Sequence, residues 1–218
     1  MNPSNREVHP LARFMQMAGL CRDLDYFDAR VSLNDLPIIP VGPDERLPVS
    51  EQNYSIHAPL DTVFDAYRCA EPHEMWPRDR ITFRFCTLPG SDKRYGPEGE
   101  IPPIEERMKV FCDLKVKPLD RYLAIMVGVA VTRVETNREI RYDYLEGSVT
   151  RGFNSMRFHE EANDRGELIT HIHHYSEYQA TSRRLQLFFP IMQPLLHVGF
   201  VNALHHGMKQ RIESSGDS

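Results

Sequence analysis

Along this chain, stretches whose apolar side chains recur every second residue alternate with stretches where they recur every third or fourth, and that rhythm predicts most of the elements. Tyr54, Ile56 and Ala58 alternate with polar neighbours as in a half-buried strand, and Pro59 suits the first turn of a following helix. In that helix Leu60, Val63, Phe64 and Tyr67 fall on one face. A turn through Trp76 then leads into the strand pattern ITFRFCTL, which starts at Ile81. RMKVFCDLKVK puts Met108, Val110, Cys112, Leu114 and Val116 on one face and Lys109, Asp113, Lys115 and Lys117 on the other, so the even face is expected to be the covered one. YLAIMVGVAVTRV, starting at Tyr122, is apolar on both faces, which predicts a strand whose outer side is covered as well. EIRYDYLEG, RGFNSMRFHEE and GELITHIHHYSEYQ continue the strand pattern, with turn signals at Thr136-Asn137, at Gly147 and from Asn163 to Gly166. About seven strands in sequential antiparallel hairpins is the simplest connection.

The two ends read differently. Between residues 9 and 27, Leu11, Phe14, Met15, Met17, Leu20, Leu24 and Phe27 are spaced for a one-sided helix. Pro37, Pro40, Pro43 and Pro48 follow, which neither continue a helix nor sit in a central strand. The expected division is therefore a helical arm with a Pro-rich linker over 1–48 and a main body over 49–218. The arm is expected to pack on the outer face of the strand containing Ile125, Val127, Val129 and Val131. In the closing segment, Pro190 and Pro194 interrupt a helical pattern, each at a cost of about 3 kcal/mol in a regular helix, so a break is expected there. A helix from about Pro194 to Glu213 should turn Leu195, Val198, Val201, Leu204 or His205, Met208 and Ile212 toward the sheet.

Composition narrows the classes. The 218 residues are 41% hydrophobic and 26% charged, enough to bury a sizeable core. The formal charge of −5 and the lack of a dense Lys/Arg block argue against a nucleic-acid footprint. Gln186, Gln193, His197 and two prolines interrupt the longest apolar run, which argues against a membrane span. MNPSNREVHP has no basic segment leading into an apolar run, which predicts a cytoplasmic protein. Cys21, Cys69, Cys86 and Cys112 have neither C-x-x-C nor zinc spacing and are expected to be free thiols.

YSIHAPLDTVFDAYRCAEPHEMWP, from Tyr54 to Pro77, followed by consecutive strands and a long terminal helix, resembles the START-like helix-grip superfamily. That superfamily includes START lipid-transfer domains, pollen-allergen-type ligand carriers and polyketide cyclases. YDYLEGSVTRGFNSMRFHEE is also similar to a bacterial subgroup of unassigned function, matched here at Tyr142, Gly147 and Gly152. The resemblance spans roughly residues 50–214 and implies an α+β fold, a curved antiparallel sheet of about seven strands gripping a long C-terminal helix. It further implies a cavity between sheet and helix that binds a hydrophobic small molecule (lipid, isoprenoid or aromatic polyketide-like) as carrier or sensor, with no cofactor. Met108, Val110, Leu114, Met126, Met156, Met192 and Leu195 are then the expected apolar wall, and Arg157 a polar contact.

Candidate chemistry follows from residue type. His171 and His173 share one face of a strand and His174 takes the other, and Tyr142 and Tyr144 share a face of an earlier strand. Imidazole passes protons near neutral pH and a phenol donates to a developing oxyanion, so a cyclase or lyase would use His171 or His173 with Tyr142 or Tyr144. Two histidines at i and i+2 also suit a metal, with His197, His205 and His206 of the last helix as candidate further ligands, but the sequence specifies no fixed geometry for them and no metal is expected. No nucleophile motif, phosphate loop or dinucleotide fingerprint occurs, which favours the carrier over the enzyme. A third reading is an interaction protein, or a homodimer, joined through the N-terminal arm.

Overall fold

A computed structural model describes residues 32–70, 76, 80–115, 124–183, 186–187 and 197–215. A 3-10 turn at Leu33–Asp35 precedes β1 (Val49–Ile56) and α1 (Leu60–Cys69). Seven strands follow: β2 (Ile81–Thr87), β3 (Arg94–Tyr95), β4 (Lys109–Lys115), β5 (Ala124–Glu135), β6 (Glu139–Tyr144), β7 (Thr150–Ala162) and β8 (Leu168–Ala180). The chain then forms α2 (Gly199–Ser215), entered through a π-type turn at His197-Val198. The expected helix over 9–27, the break at Pro190 and Pro194, and Tyr122 all lie outside the described residues.

All eight strands form one antiparallel sheet in the order β1-β8-β7-β6-β5-β4-β2-β3. From β4 to β8 neighbours in sequence are neighbours in space, as hairpin connections require. β1 departs from the sequential scheme. It pairs with β8 over its whole length, from Val49 opposite Glu177 to Ile56 opposite Thr170, so the first and last strands close one end of the sheet. The eighth strand is the two-residue β3, which pairs Cys86 with Tyr95 inside what the sequence presents as an exposed loop.

Glycines hold two of the turns and bends that shape the sheet. Gly147 follows β6 with φ +96°, and Gly152 bends β7 at φ +114°. A Cβ on Gly152 would lie 2.0 Å from the Glu177 carbonyl oxygen, so no other residue fits where β7 meets β8.

The concave face meets α1 and α2. Val63, Phe64 and Tyr67 of α1 pack with Met156, Phe158 and Ile172 of the sheet and with Leu204, Met208 and Ile212 of α2. Phe64 and Tyr67 both meet the Phe158 ring edge-on, at 5.4 and 5.5 Å. Val201, Leu204, His205, Met208 and Ile212 are the buried stripe of α2, the face its periodicity predicts.

The convex face is also covered over β2, β4 and β5, and this corrects the one-sided reading of β4. Phe111 is fully buried and Lys109 and Asp113 nearly so, because Leu33 and Leu36 lie over Phe85, Phe111, Met126, Ala130 and Leu145. Lys109 Nζ donates to the carbonyl oxygens of Leu33, Asn34 and Leu36 at 2.8, 2.6 and 3.0 Å. An ammonium on a β-strand thus satisfies the free carbonyls of the 3-10 turn and fastens it to the sheet. The linker continues along the sheet: Ile39 N–H donates to Tyr144 O at 2.9 Å, Ile38 bridges Leu145, and Arg151 and Glu45 form an ion pair. On β5, Met126 and Ala130 face this layer, whereas Val127, Val129 and Val131 face the concave side.

Candidate functional site

A cavity of about 210 Å³ lies between the concave sheet face and the start of α2. Pleating supplies its walls: Met108 just before β4 and alternate residues of β4 (Val110, Cys112, Leu114), β5 (Val127, Val129) and β6 (Tyr142, Tyr144) point inward. Trp76, Phe83 and Ile104 close one side, and Phe200 and Leu204 of α2 close another. No Asp, Glu, Lys or Arg occurs among the described residues that line it.

Its polar groups gather on β6, β7, β8 and the turn that enters α2. Tyr142 opposes Asn154 across β6 and β7, and Asn154 opposes Ser176 across β7 and β8. In the next row Met156 opposes His174, which in turn faces Gln52 of β1. Asn154 Nδ2 donates to the Tyr144 hydroxyl at 3.2 Å, and His197 Nε2 lies 3.1 Å from Ser176 Oγ. The His197 ring also packs against Tyr178, centroids 4.3 Å apart.

Behind this wall a buried chain of polar groups joins both helices to the sheet. The Tyr67 hydroxyl of α1 lies 2.7 Å from His205 Nδ1, and His205 Nε2 lies 2.9 Å from His174 Nδ1. Tyr54 of β1 stacks on the His205 ring at 4.0 Å and donates its hydroxyl to Asn202 Oδ1 at 2.6 Å. Burial disfavours every charged form in this cluster. It lowers the pKa of His197 to about 4 and of His205 to about 3, and takes His174 well below the imidazole range. It raises Tyr54 to about 12, and Tyr67, Tyr142 and Tyr144 also shift upward. The cluster is therefore neutral at pH 7. The buried polar atoms of cavity-lining side chains without a hydrogen-bond partner among the described residues include His174 Nε2 and Asn154 Oδ1.

Of the residues singled out from the sequence, Met108, Val110, Leu114, Met156, Tyr142 and Tyr144 line the cavity together. Met192 and Leu195 lie outside the described residues. Met126 instead belongs to the convex layer beneath Leu33 and Leu36, because β5 is apolar on both faces and its even side turns outward. Arg157 is exposed on the convex face, 3.4 Å from Glu139, whose other oxygen binds Arg133 at 3.0 Å.

The pairing of His171 or His173 with Tyr142 or Tyr144 does not assemble. His171 opposes His159 and His173 opposes Arg157, so both imidazoles stand on the convex side. His171 contacts Ser55 Oγ at 2.9 Å and Glu161 at 2.8 Å, and His173 lies 3.5 Å from Glu51. The strand period requires this: if Ile172, His174 and Tyr178 face the helix, their odd-numbered neighbours cannot.

His174, His205, Tyr67, Asn154 and His197 are the site groups that the paired-histidine reading passes over. A signal for the first is present in the sequence. His174 alternates with Ile172, Tyr178 and Ala180, the more apolar face of β8, whereas His171 and His173 alternate with Glu177 and Gln179. Among the described residues no group of three His, Cys, Asp or Glu side chains is placed to hold a metal ion, and no helix is long and apolar enough to cross a membrane. Cys69, Cys86 and Cys112 are free thiols, and burial raises the cavity-lining Cys86 to about 11.

No family model matches the chain, and comparison with curated proteins found no relative. Solved structures do match. A Mycobacterium smegmatis protein is similar over 82% of this chain and 99% of its own, with 11% identity and a TM-score of 0.51. Norcoclaurine synthase from Thalictrum flavum, solved in complex with dopamine and hydroxybenzaldehyde, is similar over 82% of this chain and 96% of its own, with 12% identity and a TM-score of 0.52. The chain has the helix-grip fold: one curved antiparallel sheet closed over a C-terminal helix.

Proposed function

We propose that this protein binds a compact hydrophobic molecule in the cavity between sheet and C-terminal helix, as a carrier or sensor. The observation that carries the reading is the combination of a cavity of about 210 Å³ with a wall free of charged side chains among the described residues. Cores normally close to crystal-like density, and voids larger than a few waters are unfavourable unless something fills them. A cavity of roughly 150 Å³ accommodates benzene. The space here therefore suits a substituted ring or a short isoprenoid of on the order of ten heavy atoms rather than a long-chain lipid. That the similar synthase was solved with two small aromatic compounds is consistent with that size.

The neutral state of the polar cluster favours binding over proton-transfer catalysis. General acids and bases work best with pKa values near the operating pH, whereas burial drives the cavity tyrosines up and His174, His197 and His205 down. The deciding experiment is native mass spectrometry of the full chain, with solvent extraction and identification of whatever copurifies, alongside a Val129→Trp variant that fills the cavity. A bound hydrophobic molecule in the parent and none in a folded Val129→Trp protein is the expected result. An empty parent that also fails to take up a hydrophobic fluorescent probe would overturn the proposal.

A further inference from the structure

Given that the cavity takes a hydrophobic ligand, the chemistry of its contact with His174 follows from how the buried imidazoles are connected. His174 lines the cavity and is 5% exposed. Its Nδ1 is engaged by His205 Nε2 at 2.9 Å, and its Nε2 has no partner among the described residues. Leaving a buried nitrogen unpaired is unfavourable, so a ligand that pairs it recovers that cost.

The chain behind the ring decides what it presents. With the Tyr67 hydroxyl donating to His205 Nδ1, His205 Nε2–H donates to His174 Nδ1, and His174 carries its proton on Nε2. His174 then offers a donor at the cavity wall. Reversing both imidazole tautomers places the His205 proton on Nδ1, facing the Tyr67 oxygen, and leaves His174 Nε2 as an acceptor. Neither arrangement creates a charge. Asn154 Oδ1, on the same face of the neighbouring strand and likewise unpaired, adds an acceptor. A carboxylate or ammonium would find no countercharge among the described lining residues, and a buried unpaired ion is costly by several kcal/mol.

We propose that His174 is the specificity-determining contact of the cavity, hydrogen-bonding through Nε2 to an uncharged oxygen of the ligand, so that the ligand class is a compact hydrophobic phenol, alcohol or carbonyl compound and excludes carboxylates. His205 and Tyr67 are positioning residues that hold the ring and set its tautomer. This rests on the ligand-binding reading above.

The test uses four probes of one shape, para-isopropyltoluene, para-isopropylphenol, para-isopropylbenzaldehyde and para-isopropylbenzoate, titrated calorimetrically into the full chain. Binding of the phenol or the aldehyde about tenfold more tightly than the hydrocarbon, with the carboxylate weakest, is expected. In His174→Leu the tenfold preference should vanish while hydrocarbon affinity holds. Nitrogen-15 histidine spectra of the unmodified protein give a readout that does not depend on that variant folding. The His174 Nε2 resonance should move with the phenol and stay with the hydrocarbon, and Tyr67→Phe should change the ratio of the two His174 tautomers. Hydrocarbon binding with no gain from the oxygen, or a phenol that leaves the Nε2 resonance in place, would overturn the assignment of His174 alone. Failure of all four probes to bind would overturn the cavity reading and this inference with it.

Discussion

Acid should loosen this protein well before its carboxylates protonate, and the three buried histidines set the size of the effect. An imidazole in the unfolded chain titrates near pH 6.5. In the fold, burial holds His197 near 4 and His205 near 3, with His174 also well below its ordinary value. Folded pKa values lie below unfolded ones, so between these limits the unfolded chain binds more protons and stability rises with pH. The contribution is complete above about pH 6.5 and declines as the pH falls, levelling only below the folded pKa values. Lowering the pH from 6.5 to 5 spans about 1.5 units, or ~2 kcal/mol for each of His197 and His205 at 1.36 kcal/mol per unit, and His174 acts in the same direction. That is a large fraction of the whole stability of an ordinary domain, about 5–15 kcal/mol.

Urea unfolding followed by Trp76 fluorescence at about pH 7, 6 and 5 measures the loss directly, and His197→Phe should reduce it by ~2 kcal/mol. Glu139 belongs to a lower window. Burial raises its pKa, but hydrogen bonds from Ser155 and Arg133 outweigh that and hold it below the usual range, so its contribution is present above about pH 4.5 and is lost only as the pH falls below that. A stability that changes by less than ~1 kcal/mol between pH 7 and 5 would refute the buried, neutral histidine cluster.

Three further outcomes follow from the geometry. Gly152→Ala should destabilise by more than ~3 kcal/mol in urea unfolding, because its Cβ would meet the Glu177 carbonyl at 2.0 Å in a backbone conformation that side chains rarely adopt; a loss under ~1 kcal/mol would contradict that contact. Lys109→Met should cost about 2–4 kcal/mol by removing three charge-assisted hydrogen bonds, and hydrogen exchange should rise first in residues 32–39. Unchanged protection there would show that the turn is held by its leucines alone. Val129→Trp should keep the melting temperature within a few degrees while abolishing uptake of a hydrophobic fluorescent probe, and retained uptake would place the ligand elsewhere.

Element type and inward helix face follow from the sequence alone, because each is a local consequence of side-chain period. Apart from the two-residue β3, the strands from Ile81 to Ala180 and the buried stripe Val201, Leu204, Met208 and Ile212 stand where alternation and helical spacing put them. The apolar, two-faced β5 likewise announced a second covering layer, now seen in Leu33 and Leu36. What the period cannot state is which parity of a strand faces which layer, since apolar residues satisfy either side of a sheet buried on both. That choice waits on contacts across long sequence separations: β1 against β8, Lys109 against residues 33–36, and Tyr67 against His205. It sent Met126 and Arg157 outward and moved the site chemistry from His171 and His173 to His174. One residue of pleat phase separates an imidazole among carboxylates at the surface from one held neutral at a cavity wall, and only tertiary packing sets that phase.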